Sequence, residues 1–216
     1  MEVLAAVPVR QAMSPKSRLA AVLSPQVRRL LSLEMAARVV GAIEEAGARP
    51  LVLAADQVVM DWACERGWEG VRDRAPSLNA AAAGAVEVAT RRKVGWMIVH
   101  ADLPLLTAAD LRESLAAVGS GRWVLAPSSD GGTSLIGGLS DPHFDFAYGE
   151  GSFHRHLARL RRRSLKVVFR PGLALDLDRP SDLQAALSHP RGRWLADWVT
   201  EAEKTLGAGI EKSKLS

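Results

Sequence analysis

Cysteine is almost missing from this chain: Cys64 is the only one in 216 residues. That excludes an intramolecular disulfide and a multi-cysteine zinc site, and it fits a reducing compartment. Long apolar runs are missing as well. No stretch reaches the roughly 18 to 20 residues that a membrane span needs. The N-terminus "MEVLAAVPVRQAM" has neither the basic start nor the small-residue cleavage site of a signal peptide. A cytoplasmic protein without membrane contact is expected. Charge of neither sign dominates. The formal net charge is +4, and part of it comes from Arg161, Arg162 and Arg163, whose place at a helix end suits the helix dipole. No recognition motif or interleaved aromatic accompanies these bases, so a nucleic-acid partner is not expected. There is also no internal repeat and no linker.

What the chain does have is alternation. "EVLAAVPV" reads as a buried strand. "SPQVRRLLSLEMAARVVGAIEEAG" reads as a helix with Ser24 as N-cap, Pro25 in its first turn and Gly47 as its stop. Val27, Leu30, Leu31, Met35, Val39 and Ile43 mark its apolar face. Further strand signals lie in "RPLVLAA", "GVRDRA", "GWMIVHAD", "RWVLAPSS" and "LKVVFRP". Helix signals lie in "QVVMDWACERG", in "SLNAAAAGAVEVATRR" capped by Ser77, after Thr107 with Asp110 in capping-box spacing, and in "SFHRHLARLRRR". The glycine-rich stretch from Asp130 to Ser152 reads as irregular. This order predicts an α/β fold, one Rossmann-like domain over 1–206 with a mostly parallel sheet flanked by helices. The segment 207–216 reads as a frayed tail. Trp194 and Trp198 form a packing face that permits a homodimer without requiring one. Cys64, between Trp62 and Trp68, reads as core.

In open α/β sheets ligands sit beyond the carboxyl ends of the strands. Asp102 falls there, at the end of "GWMIVHAD". So does the loop "PVRQAMSPKSRLA", where Arg10, Lys16 and Arg18, with Ser14, Pro15 and Ser17, form either a solvated turn or a phosphate grip. It lacks the glycines of a Walker or dinucleotide loop. In "LALDLDRPSDL", Asp176 and Asp178 are two apart and share a side if extended; they are a polar strand edge or a metal site. Asp182 reads as a helix-start residue. Two acids brought to one rim suit a magnesium ion shared with substrate phosphates. "APSSDGGTSLIGG" offers Thr133 and Ser134 on either a hairpin turn or a close ligand approach. "YGEGSFHRH" offers Ser152 as an ordinary N-cap or as part of an anion site at a helix start. His154 and His156, two apart on a helix, do not share a face and read as surface or packing residues.

Taken in order, "VPVR…SPKSRLA", "SLNAAA", "ADLPLL", "PSSDGGTS", "YGEGSFHRH" and "LDLDRPSDL" resemble the 2-phospho-L-lactate and phosphoenolpyruvate guanylyltransferases of coenzyme F(420) biosynthesis. The likeness runs from about Val7 to Leu183. It implies a nucleotide-diphospho-sugar-transferase-like fold and transfer of GMP from GTP to a small phospho-acid, with release of pyrophosphate. It further implies Arg10 and Lys16 on the nucleotide phosphates, Asn79 near the nucleoside, and Asp102 and Asp178 as magnesium ligands, catalytic together with Lys16. Thr133, Gly149 and Ser152 would hold the phospho-acid. The sequence departs from the family pattern at Arg10, where relatives often carry lysine, and at Ser134, where asparagine is expected. A molybdenum-cofactor or sugar-phosphate nucleotidyltransferase and a catalytically silent nucleotide-binding sensor are the alternatives.

Overall fold

Seven apolar segments pair into one sheet. The computed structural model describes residues 1–10, 16–73, 77–139, 141 and 143–213, with only the backbone of Ser17 and of 207–213. Ser14, Pro15 and the Ser17 side chain, named above, lie outside what is described. In chain order the elements are β1 (Val3–Val9), α1 (Pro25–Glu45), β2 (Arg49–Ala54), α2 (Gln57–Glu65), β3 (Gly70–Arg72), α3 (Leu78–Arg92), β4 (Gly95–Val99) and α4 (Ala108–Gly119). They continue with β5 (Trp123–Pro127), β6 (Thr133–Gly138), α5 (Ser152–Leu160), β7 (Leu165–Val167), α6 (Pro171–Ala174), α7 (Pro180–Ser188) and α8 (Trp194–Ser213). The strand order is β3-β2-β1-β4-β6-β5-β7. All neighbours are parallel except β6, which is antiparallel to both β4 and β5.

The period of two along β1 builds both layers of the core. Val3, Ala5, Val7 and Val9 meet Val39, Val40 and Ile43 of α1 on one face. Leu4 and Ala6 meet the alanine face of α3, Ala81, Ala82 and Ala85, on the other. Helix α1 starts where expected, with the Ser24 hydroxyl accepting from the Val27 N–H and Pro25 in the first turn. The Ser77 hydroxyl caps α3 in the same way.

Four expectations change. The glycine-rich stretch contains a central strand, β6, and the turn before it is a hairpin: the Ser128 N–H donates to the Gly132 carbonyl at 3.1 Å, and Gly131 has φ 84°. Glycine is required in this strand. A Cβ on Gly137 would stand 2.7 Å from the Trp96 carbonyl oxygen, and one on Gly138 would stand 2.9 Å from the Trp123 ring. Leu30 is exposed although its neighbours on the expected stripe are buried. Cys64 is exposed, not core, because α2 turns Val59, Trp62 and Ala63 inward. Helix α8 runs on to Ser213, through most of the segment read as a tail. No described helix is long and apolar enough to cross a membrane.

Candidate active site

The order β3-β2-β1-β4 means that successive crossovers leave β1 in opposite directions, so the crevice between the carboxyl ends of β1 and β4 is the topological switch point. β1 delivers Arg10 and the turn carrying Lys16; β4 delivers His100 and Asp102. The antiparallel run of β6 returns Thr133, its first residue, to this same edge. The extended segment after α6 is tied in by its backbone, with the Leu177 N–H donating to the Asp102 carbonyl at 3.0 Å. Asp182, in the first turn of α7, fixes the next residues: its Oδ2 accepts from the N–H groups of Asp178 and Arg179 at 3.0 and 2.7 Å. Two acids 76 positions apart are thereby brought to one point.

Lys16 lies between them. Its Nζ donates to Asp102 Oδ2 and to Asp178 Oδ1, each at 3.0 Å, with only 8% of its side chain exposed. The backbone at Lys16 is left-handed, φ 51°, and the Arg28 guanidinium donates to its carbonyl at 3.2 Å. Burial pulls the Lys16 ammonium down, but Asp102 and Asp178 more than reverse this, leaving it raised above its ordinary value. Burial pushes the Asp102 carboxyl up, and Lys16 together with His100 more than offsets it, so its pKa is lowered. A lysine ammonium beside two acids marks the spot as one built for positive charge.

Three buried polar atoms around this point have no hydrogen-bond partner among the described residues: His100 Nε2, Tyr148 Oη and Asp176 Oδ1. Leaving such groups unsatisfied costs about 1–3 kcal/mol each, which points to a ligand. Asp176 Oδ1 lies 3.9 Å from His100 Nδ1. His100, Asp102 and Asp176 offer ligand atoms all within 4.8 Å of one another. Burial, then the Asp102 charge, raises the Asp176 carboxyl to about 8, and burial lowers His100. Oxygen donors from Asp102 and Asp178, with Asp176 Oδ1 unclaimed, fit the hard-oxygen preference of magnesium.

Two clefts meet at the Lys16 bridge. One, of about 370 Å³, is lined by Pro8, Arg10, Lys16, Leu78, His100 and Asp102. The other, of about 220 Å³, is lined by Arg18, Ser129, Asp130, Asp176, Asp178 and Arg179. Arg10 also pairs with Asp73, at 3.3 Å. Asn79 is in the first turn of α3, where its Oδ1 accepts from the Tyr148 N–H at 2.7 Å; the oxygen of this expected nucleoside contact is thus already engaged in holding the loop before α5.

Thr133 and Ser152 come together from β6 and α5, their hydroxyls 3.3 Å apart and both buried. Gly149 shapes the turn between, at φ 114°, and its carbonyl accepts from the Ser152 N–H at 3.0 Å. His156, read from sequence as a surface or packing residue, is the second of these, and its polar partners are what that reading lacked. It is fully buried and makes two hydrogen bonds, one between Nδ1 and Thr133 Oγ1 at 2.9 Å and one accepted by Nε2 from the Ala147 N–H at 2.8 Å. The informative spacing was Ser152 to His156, i and i+4 on one helix face, rather than His154 to His156. Asp130 was also missed; its Oδ1 accepts from the Ser128 hydroxyl at 2.6 Å and the Gly132 N–H at 2.8 Å.

A family model described as "Guanylyl transferase CofC like" matches residues 1–212. The chain belongs to this family. A phosphoenolpyruvate guanylyltransferase of Rubrobacter xylanophilus is 38% identical over 189 residues, which are 85% of this chain and 92% of that protein. A 2-phospho-L-lactate guanylyltransferase of Methanothermobacter thermautotrophicus is 29% identical over 213 residues, covering 95% and 93%. Among solved structures, a protein from Desulfovibrio desulfuricans G20, provisionally named a nucleotide-diphospho-sugar transferase, aligns with TM-score 0.74 at 13% identity over 94% of this chain and 99% of that one. The likeness in fold therefore extends well beyond the likeness in sequence, while it is the family that makes this chain a nucleotidyltransferase.

Proposed function

We propose that this protein transfers GMP from GTP to the phosphate of a small phospho-acid, phosphoenolpyruvate or 2-phospho-L-lactate, with 3-phosphoglycerate a further candidate, as a cytoplasmic step of coenzyme F(420) biosynthesis. The observation that carries the reading is the Lys16 bridge between Asp102 and Asp178, at the meeting of two clefts. The larger cleft, with Arg10 and Lys16, suits the nucleotide. The smaller one, with Arg18 and Arg179, suits the phosphate end of the acceptor.

A phosphate oxygen of the acid attacks the α-phosphorus of GTP. A new P–O–P linkage forms, the bond from the α-phosphorus to the bridging oxygen breaks, and pyrophosphate leaves with the electron pair. The nucleophile needs no general base, because a phosphomonoester has its second pKa near 6 and is largely dianionic at neutral pH. The obstacle is the approach of two anions, so the protein's work is positioning and electrostatic stabilisation. Lys16 offsets charge on the triphosphate. Asp102 and Asp178 would hold magnesium, which supplies charge neutralisation to the phosphate oxygens when bound. Thr133, Ser152 and the Gly149 turn hold the acid, and Asn79 borders the nucleoside.

The test is pyrophosphate release from GTP with each of the three acids, with ATP and CTP as controls. Acid-dependent release with GTP, exceeding that with ATP and CTP, is expected. No release with any acid, or release that needs no acid, would contradict the reading.

A further inference from the structure

The two bonds of His156 fix the direction of every hydrogen bond around it. The Ala147 backbone N–H can only donate, so Nε2, 2.8 Å away, must accept. A neutral imidazole then carries its proton on Nδ1, which donates to Thr133 Oγ1 at 2.9 Å. Thr133 and Ser152 bring two hydroxyl protons, and one is used in the bond between them at 3.3 Å. The second has no acceptor among the described residues. With the opposite tautomer the Thr133 proton would go to His156 and the Ser152 proton to Thr133, leaving none.

We propose that His156 is a positioning residue that, acting through Thr133 and Ser152, keeps one hydroxyl proton available for the carboxylate of the phospho-acid and so makes the pocket select an anionic acceptor. This rests on the function proposed above. The arrangement is held rigidly: His156, Thr133 and Ser152 are all buried, and the Tyr148 ring packs on His156 at 5.0 Å and lies 5.5 Å from His100 beside the acid cluster. Burial, followed by the charges of Arg159 and Arg155, holds His156 at about 4, so the neutral form prevails at working pH.

The experiment combines nitrogen NMR of the unaltered protein, labelled at histidine, with kinetics of two variants. The spectrum should show His156 protonated at Nδ1 at pH 7; protonation at Nε2 would overturn the inference without any variant having to fold. His156→Phe keeps the ring and loses the donor. It should raise the KM for the phospho-acid about 10- to 100-fold, the range expected for a hydrogen bond to a charged group, while the KM for GTP moves less than about threefold by the same reasoning. His156→Asn, whose Nδ2 can still donate to Thr133, should recover most of the loss. An equal rise in both KM values in His156→Phe, or no recovery in a folded His156→Asn, would overturn the inference. No turnover by the unaltered protein would overturn the reading of function, and with it the assigned acceptor, whereas turnover with the wrong KM pattern overturns this inference alone.

Discussion

A histidine held neutral in a buried site leaves a signature in stability. The ordinary value for His156 is 6.5 and its folded value about 4. Between these two pH values the unfolded chain binds more protons than the folded one, so stability is fully present above about pH 6.5 and is lost as pH falls toward 4. The full effect is about 3 kcal/mol at about 1.4 kcal/mol per pH unit. Arg155, Arg159 and His100 act on His156 in the same sense as burial, and Asp145 acts against them. Urea unfolding from pH 7 to pH 4.5 should show the protein losing stability, and His156→Asn should flatten that slope; an unchanged slope would mean the imidazole is not held neutral. At this scale the sequence was partly legible. Asp102 drew notice because an acid that ends an apolar strand requires a reason, whereas Asp178 stood out only by its two-residue spacing from Asp176 and by the family resemblance; the structure brings both to Lys16. The hydrogen bonds of His156 were not identifiable, because its partners, Thr133 and Ala147, are 23 and 9 positions away. Cys64 was misread for a similar reason: sequence neighbours suggest burial, but the rotation of α2 decides it.

Elements were legible where a local rule governs them. Ser24, Ser77 and Thr107 start their helices as their types predict, the last with its N–H and hydroxyl both donating to Asp110, at 3.1 and 2.8 Å. Strand β6 was hidden because glycine usually weakens a strand, whereas here two glycines are needed by Trp96, Met97 and Trp123 packed against them. A contrast between two glycines tests this. Gly137→Ala would bring a Cβ within 2.7 Å of the Trp96 carbonyl and 2.6 Å of Met97 Cγ, and should cost about 1–3 kcal/mol, as overpacking does. Gly84→Ala, inside α3 with nothing within 4 Å, should instead gain about 0.5–1 kcal/mol from helix propensity. Urea midpoints decide it: equal shifts for the two variants would contradict the close-packing account of β6.

Over the whole molecule the site is a product of topology. The crossover direction changes between β1 and β4, which opens a crevice where the first loop, the end of the central strand and a segment some seventy residues later converge. Alternating elements announced an α/β sheet, but no local pattern gives the strand order. That order is what sets Lys16 against Asp102 and Asp178. Exposed charge pairs such as Arg159 with Asp145 contribute little by comparison, whereas the buried lysine between two acids concentrates charge where the two clefts meet. The most direct measurement is the rate at which labelled GMP passes from α-labelled GTP to phosphoenolpyruvate or 2-phospho-L-lactate, with magnesium, in the unaltered protein and in Asp102→Asn. Transfer by the former and a loss of about 100-fold or more in the latter, by analogy with removing one preorganised stabilising group, with an unchanged melting profile, is the predicted result. Near-normal transfer by a folded Asp102→Asn would contradict the account.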